Sequence, residues 1–325
     1  MVRDSRFDFY KGFLMLGVVW GHTITALLSN APNHNNIHCL FRIYDMPLFM
    51  LISGYFLSLS VNKYDFKSLL LNKITTILFP TILWSLICSR FTSVSEYYFL
   101  WAVFFSSCFC VLVNKLISLS LLRLLILLII IICLHLQPYS IWNIPFLFPY
   151  FVLGYYGKLI HCKSNKYYIY IMALFILGFS FWNSSYSVWK TGSYIFSGNN
   201  IGVIILYRTI MAILGIVVIL RLMDILFNTI SKEQTWFYKL IINTGRETLA
   251  IYILQAILIE NFLKRGCGFL YSKLGVNIFN LNENVLGYFY APIFSMITLY
   301  ILLLLISYLK KNQYFKFLFG FKLYL

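Results

Sequence analysis

The sequence predicts an all-α, polytopic integral membrane helix bundle of about ten spans. Three features carry that expectation: an apolar excess, its grouping into blocks about as long as a bilayer is thick, and the lopsided placement of basic residues. Of 325 residues, 61% are hydrophobic and 11% charged, whereas an ordinary soluble domain is about half apolar and about a quarter charged. A soluble globule is thereby excluded. The apolar blocks fall at 12–28, 44–61, 74–90, 97–113, 116–136, 144–157, 167–182, 200–226, 246–262 and 286–309. Each approaches the ~20 residues a helix needs to cross a membrane. The first block lacks a small-x-small cleavage site, so its helix is expected to be retained.

A net charge of +16 would suggest a polyanionic partner in a soluble chain. Here the cations sit mostly between apolar blocks, so they read as topology signals facing anionic headgroups, and no nucleic-acid partner is expected. With the N-terminus inside, nineteen of the 26 Lys and Arg residues fall on the inner side. The others, Arg42, Arg90, Lys190, Arg208, Lys264, Arg265 and Lys273, are on the outer side or buried. Positive loops stay in the cytoplasm, which predicts a multi-pass protein of the bacterial inner membrane with both termini cytoplasmic. Residues 1–325 read as a single domain, with 309–325 a basic cytoplasmic tail. Seven scattered cysteines form neither a zinc pattern nor a disulfide framework, so no metal is expected. Two outer loops, 183–199 and 264–285, are rich in Tyr, Asn, Ser and Gly. That composition suits either sugar binding or an interfacial aromatic belt with flexible connectors. No internal repeat of the kind found in many transporters is present.

Ionisable groups at membrane depth are costly, so each is a functional candidate by default. The first helix holds Asp8, Lys11 and His22; the second opens on Arg42 and Asp45; Arg208 lies in the eighth, and Glu247 and Glu260 in the ninth. Lys11 and His22 are separated by about three helical turns, roughly 16 Å of rise, and project from nearly the same face. Asp8 precedes Lys11 by three positions, where the two side chains meet. Gly17 and Gly21 would let a neighbouring helix approach beside His22. A neutral imidazole there can take a proton from a hydroxyl nucleophile; the alternative is a histidine bonded to a neighbouring helix that serves packing. Lys11 taken alone is a weaker signal, since a lysine at a helix end usually just snorkels to the interface. Pro47 falls near the expected start of the second span, and Ser53-Gly54 is expected to pack against the first helix.

The run Asp8-x-x-Lys11-Gly12, then His22, Met46-Pro47-Leu48-Phe49 and Ser53-Gly54-Tyr55 resembles the N-terminal signature of the membrane acyltransferase-3 family, of the polysaccharide O-acetyltransferase type. Further echoes are Lys73 before Pro80, Phe148-Pro149-Tyr150-Phe151 with Gly154-Tyr155, and Gly245-Arg246-Glu247-Thr248-Leu249 with Ile251-Tyr252, so the resemblance covers residues 6–308. It implies about ten spans surrounded by membrane lipid and transfer of an acyl group, commonly acetyl, from cytoplasmic acyl-coenzyme A to a carbohydrate acceptor, a cell-surface glycan or its lipid-linked precursor. By resemblance His22 would be the essential catalytic histidine, with Lys11 and Lys73 at the phosphates of the acyl-CoA donor; from their own chemistry Asp8 and Asp45 are expected to orient the cationic partners at the catalytic centre, and Arg42 and Arg208 to help hold the donor. Arg208 would stabilise charge on the thioester carbonyl or form a buried ion pair with Glu247 or Glu260. Three departures stand out. Lys11 replaces an arginine, Asp45 replaces a histidine common before the Met-Pro, and the basic cluster at Lys73 is thin. The rival reading is a glycan-lipid transporter or flippase, which would show two pseudo-symmetric halves around a midplane site.

The charge asymmetry has a direct test. Topology reporters fused after Leu325 and within residues 183–199 are expected to report opposite sides of the membrane; the same side from both would overturn the ten-span arrangement.

Overall fold

The computed structural model describes residues 4–27, 35–61, 63–87, 97–117, 119, 122–123, 125–127, 129–130, 144–157, 165–183, 186, 201–231, 235–263, 265–266, 285–312 and 318–319. These residues are helical or in turns, and no strand occurs among them. In chain order the helices are α1 (Ser5–Leu27), α2 (Asn36–Val61), α3 (Phe66–Ile87), α4 (Tyr98–Leu116), α5 (Ile144–Tyr156), α6 (Asn165–Ser180), α7 (Ile201–Ile230), α8 (Trp236–Arg246), α9 (Thr248–Gln255, continued as a π-helix over Ala256–Leu263) and α10 (Leu286–Leu309). Five stretches, Asn36–Val61, Phe66–Ile87, Tyr98–Leu116, Val203–Ile230 and Leu286–Leu309, are long and apolar enough to cross a membrane. The second part of the expected fifth span, 131–136, and most of both outer loops lie outside the described residues.

Local chemistry sets the helix ends. The Asn35 side-chain oxygen accepts the backbone N–H groups of Ile37 and His38 at 3.1 and 3.2 Å, which satisfies two of the donors a helix N-terminus leaves open. The second helix therefore begins at Asn36, well before the expected 44. Pro47 consequently lies inside the helix rather than near its start, where it withholds the N–H that would have bonded the Ile43 carbonyl. Thr235 caps α8 through Tyr238 N–H at 3.2 Å, and α8 ends at Glu247, which separates it from α9. Hydroxyls within the helices turn back to their own backbone. Thr23 bonds the Val19 carbonyl at 2.8 Å and Ser107 that of Val103 at 2.7 Å, so neither presents an unpaired group to an apolar medium.

The chain forms two compact units: residues 1–45, 84–93 and 218–325, and residues 46–83 and 94–217. In the first unit α1 is the hub, packed on α8, α9 and α10, with Phe9, Val19 and Ile24 wholly buried. Phe9 meets Phe227 edge-on and stacks on Tyr238, at centroid separations of 5.6 and 6.3 Å. Two glycines bring backbones into contact. A methyl group on Gly12 would lie 1.9 Å from the Ile241 carbonyl oxygen, and one on Gly245 would lie 1.7 Å from that of Asp8. The expected small-residue pair Gly17 and Gly21 packs less tightly. It faces side chains, Phe41 at 3.4 Å and His38 at 3.6 Å, rather than backbone.

In the second unit Gly54 lies against Phe151 and Tyr155 of α5, and Gly154 against Leu51. The Ser53-Gly54 step thus serves α5, not the first helix, because Gly54 and Gly154 form a reciprocal small-residue contact. Helix α4 joins the same layer through Phe109 and Phe148, with ring centroids 5.9 Å apart.

Glycine substitutions separate the two kinds of contact. Gly12→Ala and Gly245→Ala place a methyl on a neighbouring backbone, which typically costs about 1–3 kcal/mol or more. Each is expected to lower the melting temperature of the detergent-solubilised protein by several degrees. Gly21→Ala adds an ordinary van der Waals contact and is expected to shift it little. Equal shifts for all three would refute the close crossing.

Candidate active site

Helix α1 carries polar groups at both ends, and each end is completed by other helices of its unit. At the N-terminal end the Asp8 carboxylate is buried and receives two cations: Lys11 Nζ lies 3.2 Å from one oxygen and Arg246 Nε 3.8 Å from the other. The Lys11 and Arg246 side chains are 25% and 50% exposed against 3% for Asp8, so both cations reach toward solvent from an anchored carboxylate. Gly245 makes the arrangement possible, since its backbone sits directly on that of Asp8 and delivers the next residue, Arg246, to the carboxylate. Beside them Lys310 pairs with Glu247, and the Tyr10 hydroxyl donates to Asp224. At the margin, hydrogen bonds from exposed Arg6 hold the Asp4 carboxyl below its ordinary pKa.

The other end is built differently. Trp20 donates to the Gly287 carbonyl at 2.9 Å and meets Phe41 edge-on at 5.0 Å. Ile24, Leu27, Leu286 and Ala291 close the layer beyond it. His22 is half-buried on this stretch. His38, 2% exposed near the start of α2, lies against Gly21 and has its Nε2 3.4 Å from the Thr25 hydroxyl. Gly21 and Thr25 bracket His22 along α1, so both imidazoles occupy one layer of the unit. Arg42 and the buried Asp45 follow His38 at helical spacings of four and seven, so the three residues share one face of α2.

The expected site residues are thus divided. Asp8 and Lys11 form the anticipated pair; His22 lies about 16 Å of helix rise from Lys11 on the same face of α1; Arg42 and Asp45 stand on α2 in the same unit. Lys73 and Arg208 belong to the second unit. Lys73 is half-buried where α3 widens into the π-helical turn Ile74–Leu78 and interacts electrostatically with Cys108. Arg208 is buried with its guanidinium 4.4 Å from the Phe146 ring centroid. Glu247 takes Lys310 as its partner. Among the described residues no cluster of His, Cys, Asp or Glu is arranged to hold a metal.

Spacing along the sequence does not by itself select Arg246 or His38. Arg246 stands in the run Gly245-Arg246-Glu247, and its signal is the glycine before it. His38 is legible only once α2 is known to start at Asn36, because only then does it share a helix with Arg42 and Asp45.

Long apolar helices with a few buried, paired ionisable groups define an integral membrane protein with a polar site inside its helical bundle. The chain belongs to the membrane acyltransferase-3 family, whose profile, described as an acyltransferase domain, matches residues 4–311. It is similar to nodulation protein NolL of Sinorhizobium fredii (strain NBRC 101917 / NGR234), 29% identical over 191 residues, which are 50% of this chain and 51% of the relative. It is also similar to nodulation protein NolL of Mesorhizobium japonicum (strain LMG 29417 / CECT 9101 / MAFF 303099), 27% identical over 127 residues, 32% and 34% of the two chains. The matched stretch spans about half the length of the first of these curated relatives and about a third of the second. No solved structure matches the chain.

The Asp8 cluster invites a coupling measurement. Removing one partner of a buried pair leaves the other uncompensated, so Asp8→Asn is expected to destabilise the protein more than Arg246→Ala. Adding Lys11→Met to Asp8→Asn should recover much of the loss, giving a coupling of about 0.5–3 kcal/mol. Strict additivity of Asp8→Asn and Lys11→Met in thermal unfolding would show that the pair is not formed.

Proposed function

We propose that this protein is an O-acyltransferase of the bacterial inner membrane. It moves an acetyl group from cytoplasmic acyl-coenzyme A to a hydroxyl of a surface glycan or its lipid-linked precursor. The observation that carries the reading is the single face of α1 that bears Lys11 at one end and His22 at the other. Family membership supports acyl transfer over the transporter alternative. Both termini lie in the cytoplasm, which puts the Lys11–Arg246 end of α1 on the donor's side.

Partly exposed cations at that end suit the phosphates of the donor, as charge-assisted partners. From there to His22 the helix rises by roughly 16 Å, comparable to an extended phosphopantetheine arm. The thioester then arrives beside the imidazole while the nucleotide end stays near the headgroups. The acceptor hydroxyl oxygen attacks the thioester carbonyl carbon as His22 takes the hydroxyl proton. The carbon–sulfur bond breaks, and the departing thiolate recovers that proton from His22 as the free thiol. Asp8 holds Lys11 and Arg246 in place, and Arg42 and Asp45 bring further charge to the same unit on α2. Neutralising buried charge in pairs keeps such a site affordable within lipid.

Membranes containing the wild type, His22→Ala or His22→Gln would be supplied with labelled acetyl-CoA and assayed for labelled glycan. A general base contributes a factor of about 10² to 10⁴, so both variants are expected to lose transfer by at least about a hundredfold while remaining inserted and folded. Near-normal transfer by His22→Gln, which keeps hydrogen bonding without basicity, would assign His22 to packing.

A further inference from the structure

We propose that the exposed stripe of α8, formed by Trp236, Lys239, Asn243 and Arg246, docks on the phosphate headgroups of anionic phospholipid in the leaflet at the Asp8 end of α1. The inference does not depend on the acyl-transfer reading; it concerns how this unit is seated in its membrane.

Spacing and burial define the stripe. Its four residues follow one another at steps of three, four and three, so they fall in one row along the helix. All four are exposed, Trp236 by 59% and the Arg246 side chain by 50%. The opposite face, Leu240, Ile241, Ile242, Thr244 and Gly245, is buried. Ile241 and Gly245 lie directly on the backbone of α1, so α8 cannot roll and the stripe keeps one direction. It holds two cations, an amide and an indole, and no carboxylate. Lys239 makes no ion pair among the described residues, and Arg246 reaches Asp8 at 3.8 Å while half its side chain stays exposed.

The position of α8 identifies the partner. Its eleven residues rise by only about 16 Å, half the thickness of a hydrocarbon core, so it does not span. It touches the ends of two stretches that are long enough to do so. Tyr238 packs on Phe227, three residues before the end of α7, with ring centroids 6.1 Å apart. Glu247, where α8 stops, pairs with Lys310, the residue that follows α10. The place of α8 is therefore the boundary between hydrocarbon and water, where indoles settle among headgroups and cations meet lipid phosphates. A compact polyanion, such as the donor's phosphates, calls for converging cations. Those of the stripe are spread over two turns, about 10 Å of rise, which suits headgroups lying side by side. An exposed indole in the same row has a partner at a lipid surface and none in bulk water.

The test uses the full-length protein reconstituted in nanodiscs of phosphatidylcholine, alone or mixed with phosphatidylglycerol. The anionic lipid is expected to raise the unfolding midpoint by several degrees. Lys239→Gln, an exposed change with little cost of its own, should lose about half of that gain, because it removes one of the stripe's two cations. Lys239→Arg should keep it. Trp236 is located separately: the emission that disappears in Trp236→Phe is expected to be quenched by lipids brominated near the headgroup and only weakly by aqueous acrylamide. No rise with phosphatidylglycerol, a rise undiminished in Lys239→Gln, or a Trp236 emission quenched mainly by acrylamide would overturn the inference. So would a rise produced by coenzyme A instead of the anionic lipid and abolished by Lys239→Gln, which would make the stripe a donor site.

Discussion

Much of the first unit depends on one constraint: α1 and α8 cross with no side chain between them. In a bilayer, burying apolar surface against another helix gains little over contact with lipid, so association rests on close packing and on polar groups that must find partners. The two glycines at Gly12 and Gly245 supply the first, and Asp8 supplies the second. Were a methyl group present at either glycine, the helices would separate, and Arg246 would lose its reach to the carboxylate. Backbone contact and ion pairing are therefore a single feature, which is why a buried aspartate is tolerated so near the apolar body of the helix.

The two ends of α1 solve the problem of polarity in lipid by different chemistry. At the Asp8 end, full charges neutralise one another, with the exposed portions of Lys11 and Arg246 left toward water. At the His22 end the partners are hydroxyls, carbonyls and an indole: Thr23, Thr25, Trp20 and His38 bond within the layer. The two chemistries stand about three helical turns apart on one helix.

The helical class, the Asp8–Lys11 pair and the shared face of Lys11 and His22 were legible in the sequence, since each follows from composition or from spacing along one helix. What lay between helices was not. Gly54 was assigned to the wrong neighbour because a small residue announces a close approach without naming the partner. Arg246 reaches Asp8 across more than two hundred positions, and no local pattern records such a distance. Pro47 was misplaced for a simpler reason: hydropathy puts a span's start where the apolar run begins, whereas Asn35 starts the helix by accepting two backbone protons. His38 was overlooked for the same cause.

The order in which the chain is made gives the packing around α1 a further meaning. Within this chain α1 is made well before several of its partners: Tyr10 bonds a residue 214 positions later, Trp20 one 267 later and Thr23 one 272 later. Gly12 meets its backbone partner only once Ile241 has been made, whereas the Lys11–Asp8 pair spans a single helical turn. The local ion pair is thus available as soon as α1 exists, and the distant one only after Arg246 has been added. Long-range closure is slow in general, so the glycine crossing of α1 and α8 belongs to the late stages of assembly, after the local contacts of α1 have formed.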